Sequence, residues 1–374
     1  MSDLSDTAAG LPVTLLTGFL GSGKTTVLNG LLRHPGMART AVIINEFGEI
    51  GLDHQLVESA KDEMVLLKSG CLCCTVKGDL IDALRRLFLQ RVRGEVPEFD
   101  RVVIETTGLA DPAPIIHTLM ADPLVAARYR LDGVIATVDA VNGAATLDEH
   151  EEAVKQAAVA DRLLLTKTDL ADAATVDALK ARLAALNPAA PVIVVEQGAL
   201  DPALVLDVGL YDAATKSVDV ARWLKAEAYA EHDHGHHHDH DHHDHHDPNR
   251  HDARIAAFCF TIDRPIDPFA FESWLNVLTS FRGPNLLRIK GIVNLAGHER
   301  PVAIHGVQHL FHPAVELPAW PDEDRTSRIV FITRDLDRAV IEETFAAFTD
   351  QAPGHDGPSY DPRYAGLAPP LVRG

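Results

Sequence analysis

The chain has 374 residues, 46% hydrophobic and 24% charged, which excludes chain-wide disorder, collagen and a disulfide scaffold and allows a sizeable core in one or two domains. With 34 basic against 54 acidic residues the formal charge is −20, so neither nucleic acid nor an anionic membrane is an expected partner. No apolar run reaches the roughly 18 residues of a spanning helix, and the first six residues are acidic where a secretory signal is basic, so a cytoplasmic protein is expected.

The first strand, 13–17, runs straight into Gly18-Phe19-Leu20-Gly21-Ser22-Gly23-Lys24-Thr25-Thr26 and a helical pattern. This is Gly-x-x-x-x-Gly-Lys-Thr in a strand-loop-helix context, the arrangement of a phosphate-binding loop. Gly18, Gly21 and Gly23 let the backbone, with Ser22 and Thr26, wrap close to phosphates, and the helix N-terminus adds its positive end. Lys24 is expected on the β- and γ-phosphates and the Thr25 hydroxyl on Mg²⁺.

A strand over 41–44 and a short apolar run over 64–67 lead to Gly70-Cys71-Leu72-Cys73-Cys74. Thiolates suit Zn²⁺ and other soft or borderline cations. Three within four residues grip one ion only if the backbone bends around it, a bend that Gly70 permits. Three sulfurs also leave a tetrahedral ion one ligand short, as suits a site that gives its metal away; a structural zinc site is closed by four protein ligands. A redox pair and small core packing are the other uses of such a cluster, although three adjacent cysteines share no single buried face.

After a helix over 79–93, the strand at 101–104 ends in Glu105-Thr106-Thr107-Gly108. Glu105 is placed to meet Mg²⁺ directly or through water, and the Gly108 N–H to sense a γ-phosphate. Strands at 133–138 and 162–165 follow, the second ending in Thr166-Lys167-Thr168-Asp169. A carboxylate accepts both donors of the guanine edge, N1–H and N2–H₂, so Asp169 selects GTP over ATP, with the Lys167 stem over the purine and Thr166 beside it. A helix over 174–186 and a strand at 192–195 complete the alternation. Such repetition implies an α/β fold of the P-loop NTPase type, a mainly parallel sheet covered on both faces.

Residues 232–251 hold eleven of the twenty histidines, interleaved with aspartate and with no aliphatic residue. A tract that buries so little is expected to be a flexible linker. Its imidazoles, mostly neutral near pH 7, suit Zn²⁺, Ni²⁺ or Co²⁺ buffering. A strand over 256–261, a helix over 267–281, strands over 286–295, 302–310 and 328–333 and a helix over 336–348 read as a small C-terminal α+β domain. The boundaries are 1–225, linker 226–252, 253–350 and a Pro/Gly-rich tail 351–374. Lone Cys259 reads as packing; His298, His305, His309 and His312 read as surface histidines whose part in metal binding stays open.

Taken together, the sequences 18–26, 45–49 (Asn-Glu-Phe-Gly-Glu), 70–74, 105–112 and 166–169 resemble the CobW-like family of P-loop GTPases, related to the nickel-insertion GTPases of hydrogenase and urease. The resemblance implies a GTP-hydrolysing metallochaperone that delivers zinc, cobalt or nickel to a client metalloprotein. It puts Cys71, Cys73 and Cys74 between two switch segments, gives Glu46 or Glu49 as a further oxygen ligand, and leaves a homodimer open. An assembly or signalling GTPase with a static structural zinc and a non-enzymatic metal store are the alternatives. Neither an arginine finger nor a water-orienting glutamine can be named from the sequence, so slow intrinsic turnover is expected, accelerated by metal, client or dimerisation.

Overall fold

A computed structural model describes residues 10–45, 65–69, 76–208, 254–311, 314–320 and 323–349. These fall into two compact units, one ending at residue 208 and one starting at residue 254.

Seven parallel strands build the first unit: β1 (Leu11–Gly18), β2 (Thr40–Asn45), β3 (Val65–Ser69), β4 (Arg101–Glu105), β5 (Tyr129–Asp139), β6 (Arg162–Thr166) and β7 (Val192–Val195), in the order β3-β2-β4-β1-β5-β6-β7. Their near-continuous Val/Ile/Leu runs reflect burial on both faces. Helix α1 (Lys24–Leu32) lays Val27, Leu28 and Leu31 on Leu16, Val42, Val103, Ile135 and Leu164. β1 lies between β4 and β5, so the chain departs from it in both directions, and the crevice for a ligand opens at the carboxyl ends of these strands.

The run at 64–67 becomes β3, an edge strand in register with β2 from Ala41↔Val65 to Asn45↔Ser69. β5 begins four residues earlier than the sequence suggests. Asp132 breaks the apolar run but sits buried inside the strand, where its Oδ2 accepts from Thr14 Oγ1 (3.2 Å) and the Asp207 N–H (2.9 Å). A register shift at Val13/Thr14 accommodates the longer strand.

Gly30, in the last turn of α1, packs against the turn after β7. A Cβ there would lie 1.8 Å from the Gly198 carbonyl oxygen, and Gly198 itself has φ +78°. Both partners are backbone, so the clash has no flexible side chain to relieve it. Gly30→Ala is expected to cost about 1–2 kcal/mol of stability, an overpacking cost of about 2–3 kcal/mol outweighing the roughly 1 kcal/mol that alanine gains in a helix. A fall in the urea midpoint checks this.

The second unit is an antiparallel sheet of β8 (Ile255–Ile262), β9 (Leu286–Val293), β10 (Val302–Val307), β11 (Leu310–Phe311), β12 (Val315–Glu316) and β13 (Ser327–Arg334), ordered β11-β10-β9-β13-β8 with β12 on β10. Helices Pro268–Arg282 and Arg338–Thr349 cover one face through Trp274, Leu278, Ile341 and Phe345. Trp274 is fully buried, edge-on to Phe345 at 5.0 Å. The single strand expected over 302–310 is instead a hairpin. Gln308, at φ +55°, turns the chain so that Val307 pairs with Leu310 and Gly306 with Phe311.

Candidate functional site

The glycine loop occupies the carboxyl end of β1. Gly18 (φ +142°) approaches β5 so closely that a Cβ would lie 2.2 Å from Thr137 Oγ1, and Gly21 (φ +71°) and Gly23 (φ +92°) are also left-handed. The Ser22 hydroxyl is 2.6 Å from Thr137 Oγ1. Lys24 is buried and folds back over the loop, its Nζ donating to the carbonyls of Gly18 (2.9 Å) and Phe19 (3.1 Å). Gly23 ends the loop and α1 starts at Lys24, with Thr25 and Thr26 in its first turn.

Thr25 Oγ1 donates to Glu105 Oε1 at 2.8 Å across 80 residues of sequence. Glu105 is the last residue of β4, and register with β1 sets it opposite Leu16. A hydroxyl and a buried carboxylate so close are the oxygen pair that suits Mg²⁺. Gly108 lies against the loop itself: a Cβ would be 2.6 Å from the Leu20 nitrogen. The residues expected to hold phosphate and magnesium therefore share one crevice, in a backbone cradle that side chains would fill.

Thr166 closes β6 opposite Asp139 of β5, and its Oγ1 donates to the Ser22 carbonyl at 2.7 Å, tying the end of β6 to the glycine loop. Lys167 turns the chain with φ +57°, and its Nζ meets Asp139 Oδ2 at 2.5 Å. Burial opposes ionisation of Asp139. Hydrogen bonds from Lys167, Asn142 and the Val141 and Asn142 N–H groups outweigh it and hold the carboxyl below its ordinary range. Asp169 follows in the short 3₁₀ turn Thr168–Leu170, exposed at the sheet's carboxyl edge.

Three residues at this site escaped the sequence reading. Asp139 carried the same signal as Glu105, an apolar strand ending in a carboxylate. Gln156 and Lys155, on helix Glu151–Val159, hold the segment after Glu105. Gln156 Nε2 donates to the carbonyls of Gly108 and Ala110, and Lys155 Nζ is 3.5 Å from Asp111 Oδ2. No local pattern marks them.

The candidate metal residues Cys71, Cys73, Cys74 and Glu49, with Glu46, lie outside the described residues, as do the histidine tract and His312. Among the described residues no group of three or more His, Cys, Asp or Glu is gathered as a metal would require, so His298, His305 and His309 form no such cluster. Cys259 on β8 is half-buried and alternates with Phe258 and Phe260, which the core takes from that strand; burial pushes its thiol up to about 11, away from the reactive thiolate. Among the described residues no helix is long and apolar enough to cross a membrane.

The profile of the CobW/HypB/UreG nucleotide-binding domain matches residues 12–194, and that of the cobalamin synthesis protein CobW C-terminal domain matches residues 255–349. The zinc chaperone YjiA of Escherichia coli is 35% identical over 336 residues, covering 90% of this chain and 98% of its own length. The zinc chaperone CobW of Pseudomonas aeruginosa is 32% identical over 368 residues, 90% of each chain. A crystal structure of Zn(II)-bound YjiA GTPase from E. coli matches with a TM-score of 0.66 at 31% identity, over 91% of this chain and 99% of that one. The phosphate loop, the Glu105–Gly108 segment and the Lys167–Asp169 turn thus sit in a chain that belongs to the CobW/HypB/UreG family and carries the CobW C-terminal domain.

Proposed function

We propose that this GTPase is a metallochaperone that binds Zn²⁺ through Cys71, Cys73 and Cys74, holds it in one nucleotide state and hands it to a client metalloprotein in the other. Zinc is preferred to cobalt or nickel because relatives similar over most of the chain are zinc chaperones. In this reading Lys24 and the N–H groups of the loop bind the triphosphate, Thr25 and Glu105 hold Mg²⁺, and Asp169 reads guanine. Mg²⁺ would offset charge on the β- and γ-phosphates. Water attacks the γ-phosphorus, the bond to the β-γ bridging oxygen breaks, and GDP and phosphate leave. Gly108, packed on Leu20 of the loop, follows the loss of the γ-phosphate.

The observation that carries the proposal is the junction of Thr25 with Glu105 and of Gly108 with the glycine loop. Any change at the γ-phosphate is passed into the chain that continues to Asp111 and Pro112. A metal site joined to that segment has an affinity linked to the nucleotide, and a coupling of about 1–3 kcal/mol changes it roughly 5–150-fold. The test is a competitive zinc titration of the chain without residues 232–251, with a non-hydrolysable GTP analogue and with GDP. Affinities differing by about 5-fold or more, and lost when the three cysteines become serine, are expected. Equal affinities in the two states would leave a static structural zinc and end the chaperone reading.

A further inference from the structure

Helix Glu151–Val159 touches both halves of the phosphate site. His150, just before it, stacks on Phe19 of the glycine loop with ring centroids 4.4 Å apart. Gln156, 1% exposed, donates both ways through Nε2, to the carbonyl oxygens of Gly108 (3.2 Å) and Ala110 (2.9 Å). One residue earlier, Lys155 pairs with Asp111 at 3.5 Å.

These bonds bear on Gly108 in a specific way. The Gly108 N–H belongs to the Thr107–Gly108 peptide, whose oxygen accepts from the Ala110 N–H (3.1 Å) and from Thr106 Oγ1 (3.1 Å). The carbonyls of Gly108 and Ala110 are the ones Gln156 holds. Both peptide planes flanking Gly108 are therefore fixed, one by the turn and one by the amide. A buried primary amide sets two distances at once, and no side chain without two N–H donors on one nitrogen reproduces them.

We propose that Gln156 is a positioning residue for GTP hydrolysis. By fixing the turn Thr107–Ala110 it keeps the Gly108 N–H aimed at the γ-phosphate, with Lys155–Asp111 as a second, more exposed tie. The inference rests on the reading of Gly108 given above. Deprived of the amide, the two carbonyls turn toward other donors and carry Gly108 with them. Phosphate groups shared by GDP and GTP stay bound by the glycine loop, so the loss falls on turnover and not on GDP affinity.

The experiment measures phosphate release and fluorescent-GDP affinity for the full-length chain, with rates counted per GDP-binding site. For Gln156→Leu, kcat is expected to fall on the order of 10–100-fold, the cost of an error of about 1 Å in a reacting group's position, while GDP affinity stays within about 3-fold. Asn187→Ala is the structural comparison. Asn187 is an equally buried amide that donates to the carbonyls of Ala157, Ala158 and Ala160 at the far end of the same helix. Its loss is expected to lower the melting temperature and leave kcat per site unchanged. An unchanged kcat in Gln156→Leu, beside a Gly108→Ala variant that does lose turnover, overturns the role of Gln156. If Gly108→Ala also turns over normally, the reading of Gly108 fails first. Should Gln156→Leu bind no GDP, Lys155→Met decides: a lower kcat per site supports the clamp, and an unchanged one overturns it.

Discussion

Replacing Lys24 with methionine is expected to lower kcat/KM for GTP by on the order of 10²–10³-fold, about 3–4 kcal/mol of transition-state stabilisation. The ammonium is buried in a ring of backbone, with the Gly18 and Phe19 carbonyls at 2.9 and 3.1 Å fixing where it sits. In the proposed reading, charge moving onto the departing β-phosphate meets that fixed positive group in a buried site, where it counts for more than in water. Methionine keeps the length and packing of the stem and removes only the charge and donors. Arginine is not expected to rescue, because a planar guanidinium is broader than the space between two carbonyls that hold a single nitrogen. Phosphate release measured against an unchanged thermal transition checks the prediction. Activity within about threefold of the parent would show that the triphosphate is held elsewhere.

The parts of this site that the sequence made legible are those whose residues are neighbours in the chain. The glycine loop is contiguous, and its strand-loop-helix setting left one geometry for Gly18 to Thr26. Glu105 and Thr166 were readable because each ends an apolar strand of a parallel sheet, and the ends of adjacent parallel strands share one edge. Asp139 obeys the same rule and was readable in principle; its importance appears only through Lys167, 28 residues away. Gln156 reaches Gly108 across 48 residues and Thr166 reaches Ser22 across 144. Such pairs depend on the crossing of a helix over a loop, which imposes no period and no fixed spacing on either partner. The length of β5 was hidden for a related reason: Asp132 looks like a strand breaker until Thr14 and the Asp207 N–H are seen to donate to its Oδ2 inside the sheet. The reading of Cys71, Cys73 and Cys74 rests on sequence chemistry and on the kinship of the chain with zinc chaperones.

Asp169→Asn is expected to raise KM for GTP by on the order of 10³-fold, leaving kcat at saturation within about threefold, and to favour xanthosine triphosphate instead. The asparagine amide sets an NH₂ donor against one of the two donors of the guanine edge. Xanthine has a carbonyl at C2, so its acceptor and its N1–H meet the amide's donor and acceptor in register. The fold should not register the change, since Asp169 is exposed and the turn carrying it is fixed upstream, by Thr166 on the Ser22 carbonyl and by Lys167 on Asp139. That separation assigns the effect to recognition: the chemistry, which the proposed reading gives to Lys24, Thr25 and Glu105, is untouched, so a nucleotide that binds should still be hydrolysed. Steady-state rates with GTP, ATP and xanthosine triphosphate decide the matter. A GTP KM that does not move, or a loss of kcat with all three, would mean that the base is read by some other group and that Asp169 only caps its turn.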